Sequence, residues 1–130
     1  MHAGSPLPGV LLLLLDWAKQ AADRWFHLDF VDVTKVKSYG VFVIWKPGVA
    51  QVRSSVSIKV GHGDIASSLL KARHDLAVGK HGRDLLVTWA AVDVLYVAGV
   101  EAYLVQRLQP LIGLKLPLAS MHPVNLPLVA

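Results

Sequence analysis

Cysteine is absent from the 130-residue chain, which excludes disulfide staples, thiolate metal sites and a cysteine nucleophile. Long apolar runs are absent as well. The longest unbroken stretch, Val10 to Leu15, falls far short of the roughly 20 residues that a membrane-spanning helix needs, and Asp16, Lys19 and Gln20 follow it directly. No Lys or Arg precedes that stretch, and charges continue where a cleavage site would lie, so it does not read as a secretory signal. A cytoplasmic protein with no membrane partner is the expectation. Other chemistries are also missing from the pattern: the histidines form no spaced metal motif, there is no Gly-x-Ser-x-Gly elbow, and Gly61-His62-Gly63 lacks the rest of a dinucleotide or phosphate loop.

The chain is rich in apolar side chains. A hydrophobic fraction of 54% and a mean hydropathy of +0.48 are high for a single domain of this length, and predict a substantial core together with a buried N-terminal helix or an oligomer interface. A net charge of +4 and an isoelectric point near 9.6 permit contact with phosphates. The cations concentrate in the middle, at Lys71, Arg73, His74, Lys80, His81 and Arg83, a cluster that is either a phosphate-binding patch or a solvated helix end and loop.

Helical spacing of Val10, Leu14, Trp17, Ala21 and Trp25 predicts an amphipathic helix from Pro6 to about Phe26. Leu11, Leu12, Leu13 and Leu15 make its first turns apolar nearly all round, so a homo-oligomer contact through this helix is expected. Gly40 to Trp45 predicts a central strand, Val56 to Val60 a second strand with Lys59 on its polar face, and Leu85 to Val92 a third. Asp64 is placed to cap a helix running to about Leu76, with Ile65, Leu69, Ala72 and Leu76 inward. Gly79 to Asp84 reads as a loop, Asp93 to Ala98 as a connection or short helix, and Gly99 to about Gln109 as a helix ended by Pro110. The tail beyond Leu111 contains further prolines and reads as extended.

Gly40-Val41-Phe42, Lys59-Val60-Gly61, Gly99-Val100-Glu101 and Asn125-Leu126-Pro127 occur in an order and at a spacing that resemble the GIY-YIG nuclease domain, over about residues 38–127. The resemblance implies an α/β (α+β) fold: a small three-stranded, mainly antiparallel sheet flanked by helices. An N-terminal helix and connection (1–37) would precede the GIY-YIG-like part (38–130) within one compact unit. It also implies a site in which a carboxylate holds one divalent ion, Mg²⁺ or Mn²⁺, to cut a DNA phosphodiester. Glu101 would be the catalytic and metal-binding carboxylate, and Lys59, standing where the family has its second tyrosine, a phosphate contact or base. Lys71, Arg73, His62, His74 and Asn125 are the nucleic-acid-binding candidates, with Asn125 positioning a loop or the substrate.

The family's first tyrosine is replaced by Phe42, and its helix arginine falls at Ser68 or Leu70, with Lys71 able to restore one charge. Three functions follow as alternatives. They are a divergent metal-dependent endonuclease, a catalytically inactive member binding nucleic acid or protein, and a structural homo-oligomer.

Overall fold

A run of apolar residues from Val41 to Trp45 cannot face one side of a strand, because successive side chains alternate. In the computed structural model, which describes residues 13–22, 24–48, 55–113 and 120–127, this run forms the interior of β2 and is covered on both sides. The strand β2 (Tyr39–Lys46) pairs antiparallel with β3 (Val56–Asp64) and β4 (Leu86–Ala91). The two-residue β1 (Phe26–His27) adds to the outer side of β4, giving a four-stranded antiparallel sheet in the order β1-β4-β2-β3.

Each sheet face supports its own core. Phe42, Ile44, Ile58 and Val87 point to the first face, where α1 (Ile65–Arg73) packs through Ile65, Leu69 and Ala72 beside the short 3-10 turn Val33–Lys35. Val41, Val43, Val60 and Ala90 point to the second face, against Val97, Val100 and Leu104 of α3 (Val97–Leu108). The helix ends follow capping chemistry. Asp64 Oδ2 accepts from the Ser67 hydroxyl at 2.7 Å and from the Ser67 amide at 3.0 Å, which satisfies a first-turn donor. Gln109 stops α3 in a left-handed conformation with φ 51°, and Pro110 follows.

Three expectations are corrected. The helix predicted over 6–26 does not form in its described part: residues 13–19 carry no helix and run extended, and 6–12 lie outside the described residues. Leu13 forms a parallel bridge with Val124, the Ala18 amide donates to the Trp89 carbonyl at 2.9 Å, and the buried Thr88 hydroxyl donates to the Ala18 carbonyl at 2.6 Å. The segment is therefore a strap laid on the sheet, and the oligomer contact expected of a helix loses its basis there. Second, the described residues hold four strands, not three, because β1 adds an edge. Third, α1 stops at Arg73, and Asp75 caps a separate α2 (Leu76–Gly79), which leaves Leu76 89% exposed rather than inward.

The glycines of the Gly-Val-Phe, Lys-Val-Gly and Gly-Val-Glu segments have a packing role. A Cβ on Gly40 would collide with the Ala90 carbonyl oxygen across the β2–β4 ladder, one on Gly61 would meet the Phe42 ring at 2.5 Å, and one on Gly99 would meet the Ser120 carbonyl oxygen at 2.7 Å. Backbone cannot retreat as a side chain can. Gly40→Ala is expected to lose about 3 kcal/mol or more of stability in a chemical denaturation series, at the top of the usual overpacking range. Gly79→Ala, with nothing within 4 Å of its added Cβ, should be neutral to about 0.5 kcal/mol stabilising in the same series.

Hydrogen bonds from Ser67, the hydroxyl first, hold the Asp64 carboxyl below its ordinary value of 3.8. The ionised form is the one that the fold favours, so its contribution is present above that value and is lost as pH falls through the lower folded value. Asp64→Ala should lower the Tm at neutral pH, and the gap from the parent chain should close on acidification. A gap that persists at low pH would show that the carboxylate is not the stabilising group.

Candidate functional site

Strand parity decides which polar residues can meet. In β3, Gly61 sits opposite Phe42 and Lys59 opposite Ile44, so both belong to the α1 face, whereas Val60 opposite Val43 and His62 opposite Val41 belong to the α3 face. A register shift between Ile44 and Trp45 leaves Ile58 as the additional residue of a bulge. Lys59 Nζ accordingly lies 3.8 Å from Asp75 Oδ2 at the α1–α2 corner. His62 Nδ1 lies 2.9 Å from Glu101 Oε2 on α3. The sheet stands between the two pairs, and Lys59 and Glu101 do not share a cleft.

Glu101 lies in the second turn of α3, because the helix begins at Val97 rather than Gly99. The helix dipole acts mainly within the first turn, so it adds little at this carboxylate. Its side chain keeps 29% of its exposure and that of His62 keeps 43%. The contact fixes imidazole orientation: Nδ1–H donates to the carboxylate, and in the neutral ring Nε2 is left as an acceptor. Proton transfer at Nε2 is the chemistry such a pair can perform.

A metal fits the site poorly. Mg²⁺ and Mn²⁺ favour several oxygen ligands, whereas the partner of Glu101 is an imidazole, and among the described residues no group of three or more His, Asp or Glu side chains is placed to hold an ion.

The nucleic-acid candidates divide into groups that hold the fold and groups that face solvent. Arg73 donates through Nε to the Leu28 carbonyl at 2.6 Å and through Nη2 to the Val31 carbonyl, tying α1 to the loop after β1. Asn125 is committed in the same way. Its Oδ1 accepts from the Leu15 amide at 2.6 Å, its Nδ2 donates to the Leu15 carbonyl at 3.0 Å, and its own carbonyl accepts from Trp17 Nε1 at 2.9 Å. Those bonds clamp the N-terminal strap to the chain 110 residues later. Lys71 and His74 are exposed at the end of α1, with Lys80 and Arg83 exposed just beyond.

In the sequence His62 reads as a nucleic-acid candidate, and its pairing with Glu101 is not foreseen. Parity was the available signal: three residues apart in a regular strand means opposite faces. No family model, curated protein or solved structure matches the chain.

Removing the Asn125 amide leaves both backbone groups of Leu15 without these bonds. Asn125→Ala is expected to lose about 1–3 kcal/mol of stability with nucleic-acid affinity unchanged at temperatures where the variant is folded. An unchanged denaturation midpoint with weakened binding would instead make Asn125 a ligand contact.

Proposed function

We propose that the chain is a non-catalytic nucleic-acid-binding module on a GIY-YIG-like arrangement. The observation that carries this choice over an endonuclease is the sheet standing between Lys59 and Glu101. A hydrolytic site would need the carboxylate, a cation for the phosphate and a nucleophile-activating group around one phosphorus atom. Here Lys59 is paired with Asp75, and Asn125 and Arg73 spend their polar groups on backbone.

Binding needs less. Phosphate neutralisation requires exposed cations on one surface, without a catalytic geometry. From the last turn of α1 to β4 the chain presents Lys71, His74, Lys80 and Arg83, all exposed, against an exposed Asp84 and an Asp75 whose charge is met by Lys59. The net charge of +4 favours approach to a polyanion.

Two measurements on the purified chain separate the readings. Supercoiled plasmid should remain intact with Mg²⁺ or Mn²⁺, and duplex DNA should bind with an affinity that falls as salt rises. Replacing Lys71, Lys80 and Arg83 with Glu should flatten the log–log salt dependence by about 2–3 units, on the basis of roughly 0.9 per phosphate contact. Divalent-ion-dependent nicking that disappears in Glu101→Gln would restore the enzyme, and absence of DNA binding at low salt would remove the nucleic-acid role.

A further inference from the structure

The N-terminal strap runs extended although its amino acids favour a helix. From Leu13 to Trp25 there is no glycine, proline or β-branched residue, whereas β2, β3 and β4 carry Val41, Val43, Ile44, Ile58, Val60 and Val87. Leu, Ala, Lys and Gln are among the stronger helix formers, and Leu14, Trp17, Ala21 and Trp25 keep a helical period with Asp16, Lys19 and Gln20 opposite. A conflict between local preference and observed state marks a segment that the rest of the fold holds against an alternative. We propose that the strap is a two-state switch, extended while it is clamped on the sheet and helical when the clamp opens.

The extended state is held by a few bonds to distant residues. The Leu13 amide donates to the Pro123 carbonyl at 3.2 Å, the Asn125 side chain takes both backbone groups of Leu15, and Ala18 is bonded to Trp89 and Thr88. Among the described residues, no partner holds the amides of Trp17 and Lys19. In a helix those two amides would donate to the Leu13 and Leu15 carbonyls, four residues back. Leu14, 80% exposed in the strap, would share a side with Trp17, which is now buried in the second-face core.

Length makes the two states exclusive. Trp25 is anchored edge-on against Trp45 at 5.2 Å, and bonds between Ala21 and Arg24 hold the turn before it. The stretch from Leu13 to Lys19 covers about 20 Å when extended and about 9 Å as a helix. Coiling therefore draws Leu13 back by about 11 Å, too far to keep its bridge to Val124 or the Leu15 bonds to Asn125. Opening uncovers the part of the second core that Leu13, Leu15 and Trp17 cover, an apolar surface hidden in the closed state.

The test uses the full chain, whose lack of cysteine lets spin labels be placed at Leu14→Cys and Met121→Cys alone, both exposed positions. Pulsed electron spin resonance reads their separation, and circular dichroism reads helix content. Asn125→Ala, which frees both groups of Leu15, should raise the ratio of long to short separations by about 5- to 150-fold and deepen the 222 nm signal. Thr88→Val, which removes the bond to the Ala18 carbonyl and keeps the side-chain shape, should act in the same direction. Lys19→Pro bars the helix and suits an extended neighbour, so adding it to either variant should abolish the long separation and the helical gain. Lys19→Ala, which removes only the charge, should keep both. A short separation retained in both folded variants overturns the switch. So does a long separation that Lys19→Pro leaves in place, which marks release into a disordered strap. Global unfolding of both variants also overturns it, because the strap would then be inseparable from the fold.

Discussion

The two-sided burial of β2 is the constraint on which the rest of the molecule depends. Val41, Val43 and Trp45 belong to one core, and Phe42 and Ile44 to the other, with each of the five no more than 4% exposed. Complete burial of side chains of these types contributes about 1.5–3 kcal/mol each, so this one strand gathers a gross term on the order of 10 kcal/mol, comparable to the net stability of a whole domain. Covering both faces requires separate elements. α1 and the loop after β1 cover the first face, and α3, the N-terminal strap and the C-terminal segment cover the second.

The same constraint distributes the polar chemistry. A sheet covered on both sides is a partition, and residues of odd spacing on β3 fall on opposite sides of it. Lys59 joins Asp75, and His62 joins Glu101. The close approaches at Gly40, Gly61 and Gly99 join strand to strand, ring to strand and helix to C-terminal segment. Those glycines can therefore be required by packing alone, whether or not a reaction takes place nearby. A motif made largely of such glycines describes an architecture more securely than an activity.

Legibility in the sequence follows the range of the interactions. β2, the Asp64 cap and the Val100–Leu104 stripe of α3 were readable because alternation, capping chemistry and helical spacing act within a few residues. The segment around Leu13 to Trp17 was not. Its apolar residues satisfy a helical period, yet Leu13, Leu15 and Trp17 also alternate with the exposed Leu14 and Asp16, as an extended strap requires. Bonds to Asn125, Pro123 and Trp89 resolve the ambiguity, and no local pattern reports partners that far away. Leu76 illustrates the converse, a residue in step with the α1 stripe but beyond the helix, because Asp75 starts a new turn. The candidate site suffered more than the fold, since a site is a meeting of distant side chains. Asn125 and Arg73 have the chemistry of ligand contacts, and only their neighbours show that backbone carbonyls and amides already occupy them.

By itself the amino-acid sequence determined the absence of thiol chemistry, the positive charge, a mixed α/β class and a central strand apolar on both faces, all properties of composition or short period. Tertiary structure alone decided that the N-terminal segment is a strap, that Glu101 pairs with His62 across from Lys59, and that rings from β1, its following loop and β4 line one groove. The physical reason is that period and propensity act along the chain, whereas a clamp, an ion pair or a groove depends on which distant segments the burial of β2 draws together.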